Sequence, residues 1–355
     1  MTQISGSPLD ENSYVLETRA LRAYYRMKYF GIDREVRAVD GISMHVRKNE
    51  IYGIAGESSC GKTTFIKAIA AAIRPPLEIV AGHVNYNFIN NDLYALPSKE
   101  RSAIRWRHLS YILQGSMNVL NPVRRIHKTF EDFAFRHMHM GRSEFEQEVK
   151  RHLERLRLPA EILRAYPHEL SGGMRQRVCI ALATLCKPEF IIADEPTTAL
   201  DVVVQKDVLA MIRETQSEFG SSMIFVTHDL AVHANITDRL GIMYAGRLVE
   251  EGRTADVFSN PMHPYTAHLI ASLPRIGDIH PRNALTGSPP SLADPPKGCR
   301  FHPRCPLAME ICRHENPALT TLAEDHRVAC FAASATVQPT SDEKPQHPEA
   351  LETVR

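Results

Sequence analysis

Apolar residues along the chain follow two periods, and the way these periods intermix predicts an α/β core. A strand-like alternation begins at residues 14–17, and residues 50–55 and 190–193 are short apolar runs of the kind that form buried strands. Residues 64–71 have helical spacing and are separated from the apolar run at residues 50–55 by residues 56–63. Strand-like and helix-like segments intermix over residues 36–194. We therefore expect a sheet with helices packed against it.

A second helical region is predicted between the strands. Residues 143–146 match a capping box, the Ser-x-x-Glu pattern that opens many helices. The residues that follow place apolar side chains on one helical face: Phe145, Val149, Leu153 and Leu156. We expect a small helical subdomain at about residues 115–170.

Size, charge and apolar content exclude several classes of protein. The 355 residues exceed the roughly 100 to 200 of one ordinary domain, which favours one large domain with an appendage. Because 42 Lys and Arg face 41 Asp and Glu, the net charge is +1 and no nucleic-acid partner is expected. The longest uncharged apolar stretch, residues 178–186, is far shorter than the roughly 20 residues that span a bilayer. Residues 1–8 lack the pattern of a signal peptide, so a cytosolic protein is expected.

Composition also predicts the domain limits. Residues 1–14 are polar and are expected to form a flexible N-terminus. A main domain is predicted for residues 15–265 and a proline-rich linker with a cysteine-bearing extension for residues 266–331. The polar residues 332–355 are expected to be a disordered tail.

Residues 56–63 carry the strongest chemical signal. They match the phosphate-binding pattern G-x-x-x-x-G-K-[ST] between a predicted strand and a predicted helix, a context that argues against a chance glycine turn. Backbone N–H groups and the positive helix end then face one anion site. We expect Lys62 to reach the β- and γ-phosphates of a nucleotide and the Thr63 hydroxyl to ligate Mg²⁺. The predicted nucleotide-binding residues here are Gly56, Glu57, Ser58, Ser59, Cys60, Gly61, Lys62, Thr63 and Thr64.

Two further segments have features of nucleotide contacts. Ser171, Gly172 and Gly173 place a hydroxyl and N–H groups at the mouth of a predicted helix, an arrangement that suits a phosphate. The alternative is an ordinary N-capped helix, since Ser is a common cap. Gln114 ends a short apolar strand, where its amide can contact the shell of a magnesium ion and the γ-phosphate.

Two adjacent acids at the exit of a buried strand predict the catalytic chemistry. Asp194 is expected to hold Mg²⁺, and Glu195 to polarise the attacking water as general base, a role typically worth ~100-fold or more in rate. An acid pair at a helix N-terminus is the alternative. His228 ends another apolar strand, where it can hydrogen-bond a γ-phosphate or serve a structural role.

Six features follow one another along the chain: the phosphate loop, Gln114, the Ser171 segment, the acid pair, Asp201 and His228. In this order they resemble the nucleotide-binding domain of ABC ATPases, over roughly residues 15–265. The resemblance implies a P-loop NTPase fold with a mixed-sheet core and a helical subdomain. It also implies that two such domains meet head to tail, so that the Ser171 helix closes on ATP held by the partner's loop, and it places Asp201 at the nucleotide site.

Two positions are interpreted through this resemblance. The family stacks an aromatic side chain on adenine, and Tyr29 is our candidate, with Phe30 and Tyr25 as rivals. Close relatives have Gly where Ser59 stands, and a non-Gly residue in a left-handed conformation costs of order 1 kcal/mol or more. We expect a slightly strained loop that still binds ATP.

Four of the seven cysteines lie near the C-terminus: Cys299, Cys305, Cys312 and Cys330. A reducing compartment argues against stable disulfides, and their spacing leaves an iron–sulfur cluster and a zinc site with free thiols both open. Residues 260–266 and 298–306 resemble the extension of dipeptide and oligopeptide ABC importer ATPase subunits. In some of those relatives four cysteines bind a 4Fe-4S cluster, so the resemblance implies one here. The remaining cysteines, Cys60, Cys179 and Cys186, are expected to pack in the core.

The resemblance implies an energy-coupling ATPase subunit of an importer. A second, homologous ATPase subunit would close on ATP with it, and residues 115–125 would receive two transmembrane permease subunits. An extracytoplasmic substrate-binding protein would take part indirectly, and the chain would lie peripherally on the cytoplasmic face of the cell (inner) membrane. The substrate is left open among peptides, nickel and oligosaccharides.

Two other functions are alternatives to the importer ATPase. A soluble ABC ATPase of DNA repair or translation is disfavoured because only 56 residues separate Gln114 from Ser171, too few for long coiled coils. A nucleotide-regulated metal or redox sensor would use the cysteine segment.

Overall fold

The strands form two sheets in the computed structural model, which describes residues 14–112, 115, 119–198, 200–273, 285 and 287–337. The strands are β1 (Tyr14–Tyr29), β2 (Ile32–Arg47), β3 (Ile51–Ala55), β4 (Leu77–Tyr86), β5 (Leu109–Ile112), β6 (Phe190–Asp194), β7 (Ser222–Val226), β8 (Arg239–Tyr244), β9 (Arg247–Arg253), β10 (Thr320–Ala323) and β11 (His326–Val328). The helices are α1 (Lys62–Ile69), α2 (Ser98–Ile104), α3 (Ile126–Phe133), α4 (Arg142–Arg155), α5 (Gly172–Thr184), α6 (Val202–Phe219), α7 (Leu230–Ile236), α8 (Thr254–Ser259), α9 (Pro264–Ala271), α10 (Ile311–His314) and α11 (Phe331–Val337). None of the helices in these ranges is long and apolar enough to cross a membrane.

The larger sheet has the strand order β10-β11-β9-β8-β3-β7-β6-β5. Its centre, from β8 to β5, is parallel, so the loops that follow β3, β6 and β7 meet at one edge. Every residue of β6 is buried, as its uninterrupted apolar sequence predicts for a strand covered on both faces. This edge is where the predicted phosphate loop, acid pair and His228 all lie.

Helix α1 and the smaller sheet cover one face of these parallel strands, and helices α3 to α6 cover the other. The smaller sheet is antiparallel, in the order β2-β1-β4. Phe190 and Ile192 of β6 pack in one apolar cluster with α1 and the smaller sheet, whereas Ile191 packs in the other with α3 to α6. The period-2 alternation along one strand therefore joins both halves of the core.

Among the described residues of the helical segment are α3, α4 and three short 3₁₀ turns, and the segment corrects one prediction. Helix α4 begins at Arg142 after Gly141, which has no side chain to cap it, so the capping box predicted at residues 143–146 was wrong. The N–H of Phe145 already bonds the carbonyl of Gly141, which places Ser143 inside the first turn rather than before it. The predicted apolar face is confirmed, because Phe145, Val149, Leu153 and Leu156 are all buried.

The C-terminal extension is continuous with the core. Strand β11 pairs with β9, and β10 pairs with β11, so the extension adds two strands to the main sheet. Helix α11 runs to Val337, so the first six residues predicted for the disordered tail, residues 332–337, are helical. The predicted flexible N-terminus lies outside the described residues except for Tyr14, and the domain limits stay predictions.

Candidate active site

The phosphate-binding pattern forms the turn between β3 and α1. Gly56 and Gly61 have φ angles of 149° and 108°, in the region that favours glycine. A Cβ at Gly61 would lie 2.0 Å from the carbonyl oxygen of Ala38, and one at Gly56 would lie 2.2 Å from that of Met243. Neighbouring backbone therefore requires glycine at both positions.

Donors converge at the start of α1. Gly61 is the N-cap and brings no side-chain acceptor, so the first N–H groups of the helix have no local cap. Lys62 is buried, and its ammonium donates to the carbonyl oxygens of Gly56 (2.6 Å) and Glu57 (3.0 Å). Thr63 is exposed beside it. A cation, a hydroxyl and helix N–H groups together form an anion-binding arrangement.

Ser59 adopts the strained conformation expected from the sequence. Its φ is 64°, in the left-handed region that costs a non-Gly residue of order 1 kcal/mol. The neighbouring Cys60 is buried in the apolar cluster around α1, as predicted, and its carbonyl accepts from the N–H of Gly246 at 2.7 Å. Distant residues hold the loop on both sides of Ser59, since the Tyr265 hydroxyl accepts from the N–H of Glu57 at 2.8 Å on the other side.

Asp194 ends β6 and is buried beneath the Tyr111 hydroxyl, which donates to it at 3.1 Å. Burial is the main cause that raises the pKa of Asp194 to about 6, and the adjacent Glu195 carboxylate raises it further. The Tyr111 hydrogen bond, Lys67 and Lys62 act in the opposite direction. Asp194 and the phosphate loop lie at the same edge of the sheet, because β3 and β6 both pair in parallel with β7.

Glu195 follows β6 in a left-handed conformation with a φ of 48°. Its Oε2 accepts from the Thr198 hydroxyl at 2.9 Å, and its Oε1 lies 3.3 Å from His228 Nδ1. Its N–H donates to the carbonyl of Val226 at 2.8 Å. The Glu195 side chain is only 16% exposed, whereas that of His228 is 64% exposed. A carboxylate held in this way at the exit of a buried strand has a fixed orientation toward the sheet edge.

The Ser171 segment forms the N-terminus of α5. The Ser171 hydroxyl accepts from the N–H of Met174 at 3.3 Å, which is the N-cap that the sequence left as an alternative. Ser171 is exposed, and Gly172 and Gly173 are half-buried. A Cβ on Gly173 would lie 2.9 Å from Val204, so the start of α5 packs closely on α6. A nucleotide contact by this segment stays a prediction.

Asp201 has a local structural role in this chain. Its carboxylate caps α6 by accepting from the N–H groups of Val203 (3.1 Å) and Val204 (3.0 Å). Its predicted place at the nucleotide site stays a prediction.

Two predicted contacts are not placed by the structure. Gln114 lies outside the described residues. Tyr29 lies in β1, but its side chain is not among the described parts of the structure. Of its two rivals for adenine, Phe30 is 89% exposed, whereas the Tyr25 hydroxyl is engaged with the buried Thr64 at 3.2 Å. The aromatic contact with adenine stays a prediction, with Tyr29 as the candidate and Phe30 and Tyr25 as its rivals.

ATP with Mg²⁺ fits the chemistry of these residues. Mg²⁺ takes oxygen ligands, and the exposed Thr63 hydroxyl and the Asp194 carboxylate have the chemistry that such a site needs; their role as ligands stays a prediction. Gly56 and Gly61 keep the loop close to the carbonyls of Met243 and Ala38, which holds the backbone of residues 56–61 at the start of α1.

Several contacts of the site were missed by sequence reasoning. Tyr111 faces Asp194 from the adjacent parallel strand, and Thr198 lies three residues after Glu195, a spacing that favours a local hydrogen bond. From the extension, Arg304 pairs with the Glu57 carboxylate, a contact between residues 247 positions apart. Only the hydroxyl of Thr198 carried a sequence signal, because the other two contacts depend on strand order and on the path of the extension.

Comparisons with known proteins agree with this geometry. The family model described as "ABC transporter" matches residues 39–198, and the one described as "Oligopeptide/dipeptide transporter, C-terminal region" matches residues 249–312. The dipeptide transport ATP-binding protein DppD of Caldanaerobacter subterraneus subsp. tengcongensis is 39% identical over 321 residues, which cover 90% of this chain and 97% of that protein. The oligopeptide transport ATP-binding protein OppD of Salmonella typhimurium is 40% identical over 310 residues, which cover 86% and 91%. The chain belongs to the ABC transporter family of dipeptide and oligopeptide transport ATP-binding proteins.

Membership of this family makes the chain an ATP-binding cassette ATPase and favours transport over the soluble DNA-repair or translation alternative. Solved structures support the fold. The dimeric ATP-binding cassette MJ0796 bound to ADP and Pi superposes with a TM-score of 0.59 at 24% identity, over 67% of this chain and 98% of that one. The predicted P-loop NTPase fold with a mixed sheet and helices is therefore confirmed.

The prediction of a 4Fe-4S cluster was wrong. All four cysteines of the extension are described, and across the described ranges no group of three or more His, Cys, Asp or Glu side chains could hold a metal ion. Cys299 and Cys305 instead pack against the apolar cluster around Phe301. Burial, followed by neighbouring thiols, raises the pKa of Cys305 to about 11. In the described structure Cys299 and Cys305 are therefore packing residues.

Proposed function

We propose that the chain hydrolyses Mg-ATP to power the import of dipeptides or oligopeptides through two permease subunits. It would lie at the cytoplasmic face of the membrane beside a homologous second ATPase subunit, and a substrate-binding protein would deliver the peptide. The support is the match of proteins named for dipeptide and oligopeptide transport over 86–90% of the chain, including the extension.

The held carboxylate of Glu195 is the single observation that carries the catalytic part of this proposal. Thr198 contacts one oxygen of the carboxylate and His228 approaches the other. A base held in this way needs little reorganisation before it accepts a proton from the attacking water. His228, exposed beside it, would contact the γ-phosphate.

Asp194 would have a different task from its neighbour. It is buried, and the Tyr111 hydroxyl orients it. With Thr63, and with Gln114 as a further contact, it would hold Mg²⁺, which when bound neutralises the charge of the phosphates. Two adjacent acids in different environments are typical of sites that divide binding from proton transfer.

The permease contact is proposed at residues 115–125. Val119 and Val123 of this segment are exposed apolar side chains. Beside them lies a groove of about 100 Å³ lined partly by Trp106 and Phe133. Exposed apolar surface next to a groove is typical of a protein-binding site.

The substitution Glu195→Gln tests the assigned base. The variant should bind ATP but lose at least ~100-fold in turnover, because an amide cannot accept the proton. Glu189→Gln is the matched control, since Glu189 also pairs with a histidine, His108 at 2.7 Å, at the opposite end of β6. ATP affinity and phosphate release are measured for both variants. Turnover near that of the wild type in Glu195→Gln would contradict the role.

The transport role is tested on the assembled complex. We expect the chain to co-purify with two membrane proteins and a second ATPase, and labelled dipeptide uptake into vesicles to require ATP. Stimulation of the isolated ATPase by DNA or ribosomes, without membrane partners, would favour the soluble alternative instead.

A further inference from the structure

The C-terminal extension reaches the phosphate loop through Arg304. This residue ends the short 3₁₀ turn His302–Arg304, and its side chain is only 6% exposed. Its guanidinium donates to both oxygens of Glu57, at 2.8 and 3.0 Å, and to the Tyr244 hydroxyl at 3.3 Å. A bidentate pair of this kind fixes geometry as well as charge.

The backbone of Glu57 is held by the same region of the chain. Its N–H donates to the hydroxyl of Tyr265 at 2.8 Å, and Tyr265, in α9, is completely buried. Its carbonyl accepts from the ammonium of Lys62 at 3.0 Å. Glu57 therefore links Arg304 and Tyr265 on one side to the phosphate-binding lysine on the other.

The charges of Glu57, Lys62 and Arg304 determine how this contact would affect nucleotide binding. Residues 56–63 contain one acid, Glu57, and one base, Lys62, so the loop has no net charge by itself. Arg304 adds a positive charge at 2.8 Å from the acid and leaves Lys62 as the uncompensated charge of the loop. A nucleotide triphosphate is strongly anionic, so it binds better when the Glu57 carboxylate is neutralised.

We infer that Arg304 is a positioning residue that sets the affinity of the phosphate loop for nucleotide, acting through Glu57. The extension is thereby coupled to the nucleotide site, and the coupling is reciprocal: docking of residues 298–305 favours ATP binding, and ATP binding favours docking. The inference rests on the nucleotide binding of the proposed function.

The charge role is tested with Arg304→Gln, Glu57→Gln and the double variant, measured by equilibrium binding of ATP. Arg304→Gln should weaken ATP binding roughly 5- to 20-fold, within the usual range of coupling between sites. Glu57→Gln should bind ATP more tightly than the wild type. The double variant should return to within about threefold of the wild type, because the repulsive acid is gone together with its partner. Arg313→Gln, at an exposed arginine of the extension that pairs with Glu310, is the control and should bind normally.

The outcomes separate this inference from a purely structural role and from the proposed function. Wild-type affinity in Arg304→Gln, or a double variant as weak as Arg304→Gln, would overturn the inference. Failure of the wild-type chain itself to bind ATP would refute the proposed function instead.

A measurement on the wild-type protein covers the case in which Arg304→Gln does not fold. Saturating ATP should slow hydrogen exchange of the amides of residues 298–305 by about the same 5- to 20-fold factor. Helix α2, of which only Ile104 is buried and which lies outside the extension, serves as an internal reference that ATP should leave unchanged. Exchange of residues 298–305 that is identical with and without ATP would overturn the reciprocal coupling.

Discussion

The two helices that carry the nucleotide-binding predictions, α1 and α5, begin in opposite ways. Helix α1 starts at Gly61, which has no side-chain cap and is enclosed by the backbone of Ala38. Helix α5 starts at Ser171, whose own hydroxyl caps the N–H of Met174 in an exposed position. Helix α1 therefore has no side-chain cap at its N-terminus, whereas the Ser171 hydroxyl caps α5 as an acceptor and keeps its own O–H as a donor for a ligand.

The substitution Gly61→Ala should break the buried helix start and have the largest effect. Its Cβ would lie 2.0 Å from the Ala38 carbonyl, so the loop must move away from its binding geometry. A misplacement of about 1 Å in a positioning element can cost roughly 100-fold. We therefore expect ATP affinity to fall by roughly this factor. Gly141→Ala is the matched control, because Gly141 is also an N-cap glycine but has open space around it. Equal ATP binding by the two variants would show that the loop is not held as described.

The substitution Ser171→Ala should have the next largest effect, and on a different quantity. ATP binding by the single chain should not change, whereas turnover in the assembled ATPase should fall at least tenfold. A lost hydrogen bond to a charged phosphate costs about 1.5 to 3 kcal/mol. Ser171→Asn separates the two roles, since Asn is an equally good cap but lacks the hydroxyl. If Asn restores turnover, the serine acts only as a cap and its predicted nucleotide contact is wrong.

A third helix start, that of α9, sharpens the comparison because a titratable group caps it. The Nδ1 of buried His263 accepts from the N–H of Tyr265 at 3.0 Å. Burial lowers the pKa of His263 to about 4. Protonation of Nδ1 would place a donor against a donor, so the folded state requires the neutral imidazole.

This cap predicts the smallest of the three effects, a pH-dependent loss of stability. Because the pKa of His263 is lower in the folded than in the unfolded state, its contribution is complete above pH 6.5 and is lost as the pH falls toward 4. At pH 5.5, one unit below the ordinary pKa of histidine, the free energy of unfolding is lower by about 1.4 kcal/mol. Urea unfolding at pH 7.5 and 5.5 should show this decrease in the wild type and a smaller one in His263→Asn, which keeps a cap that does not titrate. The exposed His314→Asn serves as control, and an unchanged pH dependence in His263→Asn would exclude the cap as its source.

Local sequence was sufficient wherever the physical cause is local. The apolar run of β6 predicts a strand buried on both faces, and the helical period of Phe145, Val149, Leu153 and Leu156 predicts one buried face. The left-handed Ser59 follows from its place in a glycine loop. Each of these depends on steric or hydrophobic preferences within a few neighbouring residues.

Local sequence failed where a pattern has more than one structural outcome. The Ser-x-x-Glu pattern at residues 143–146 lies within α4 because the N-cap is Gly141, two residues before Ser143. Clustered cysteines in the extension predicted a metal cluster, but the fold uses Cys299 and Cys305 to fill an apolar layer. Spacing along the chain does not reveal which way side chains face once the segment packs against the sheet.

The sequence by itself determined the phosphate loop, the adjacent acids and the order in which the site motifs follow one another along the chain. Backbone sterics and apolar periodicity act over short distances, so a local sequence is sufficient for them. Only the tertiary structure decided that Tyr111 orients Asp194, that His228 approaches Glu195, and that Arg304 neutralises Glu57. These contacts join residues 33 to 247 positions apart, and strand order and the return of the extension onto the sheet bring them together. Electrostatic partners are chosen by distance in space, which a linear sequence does not contain.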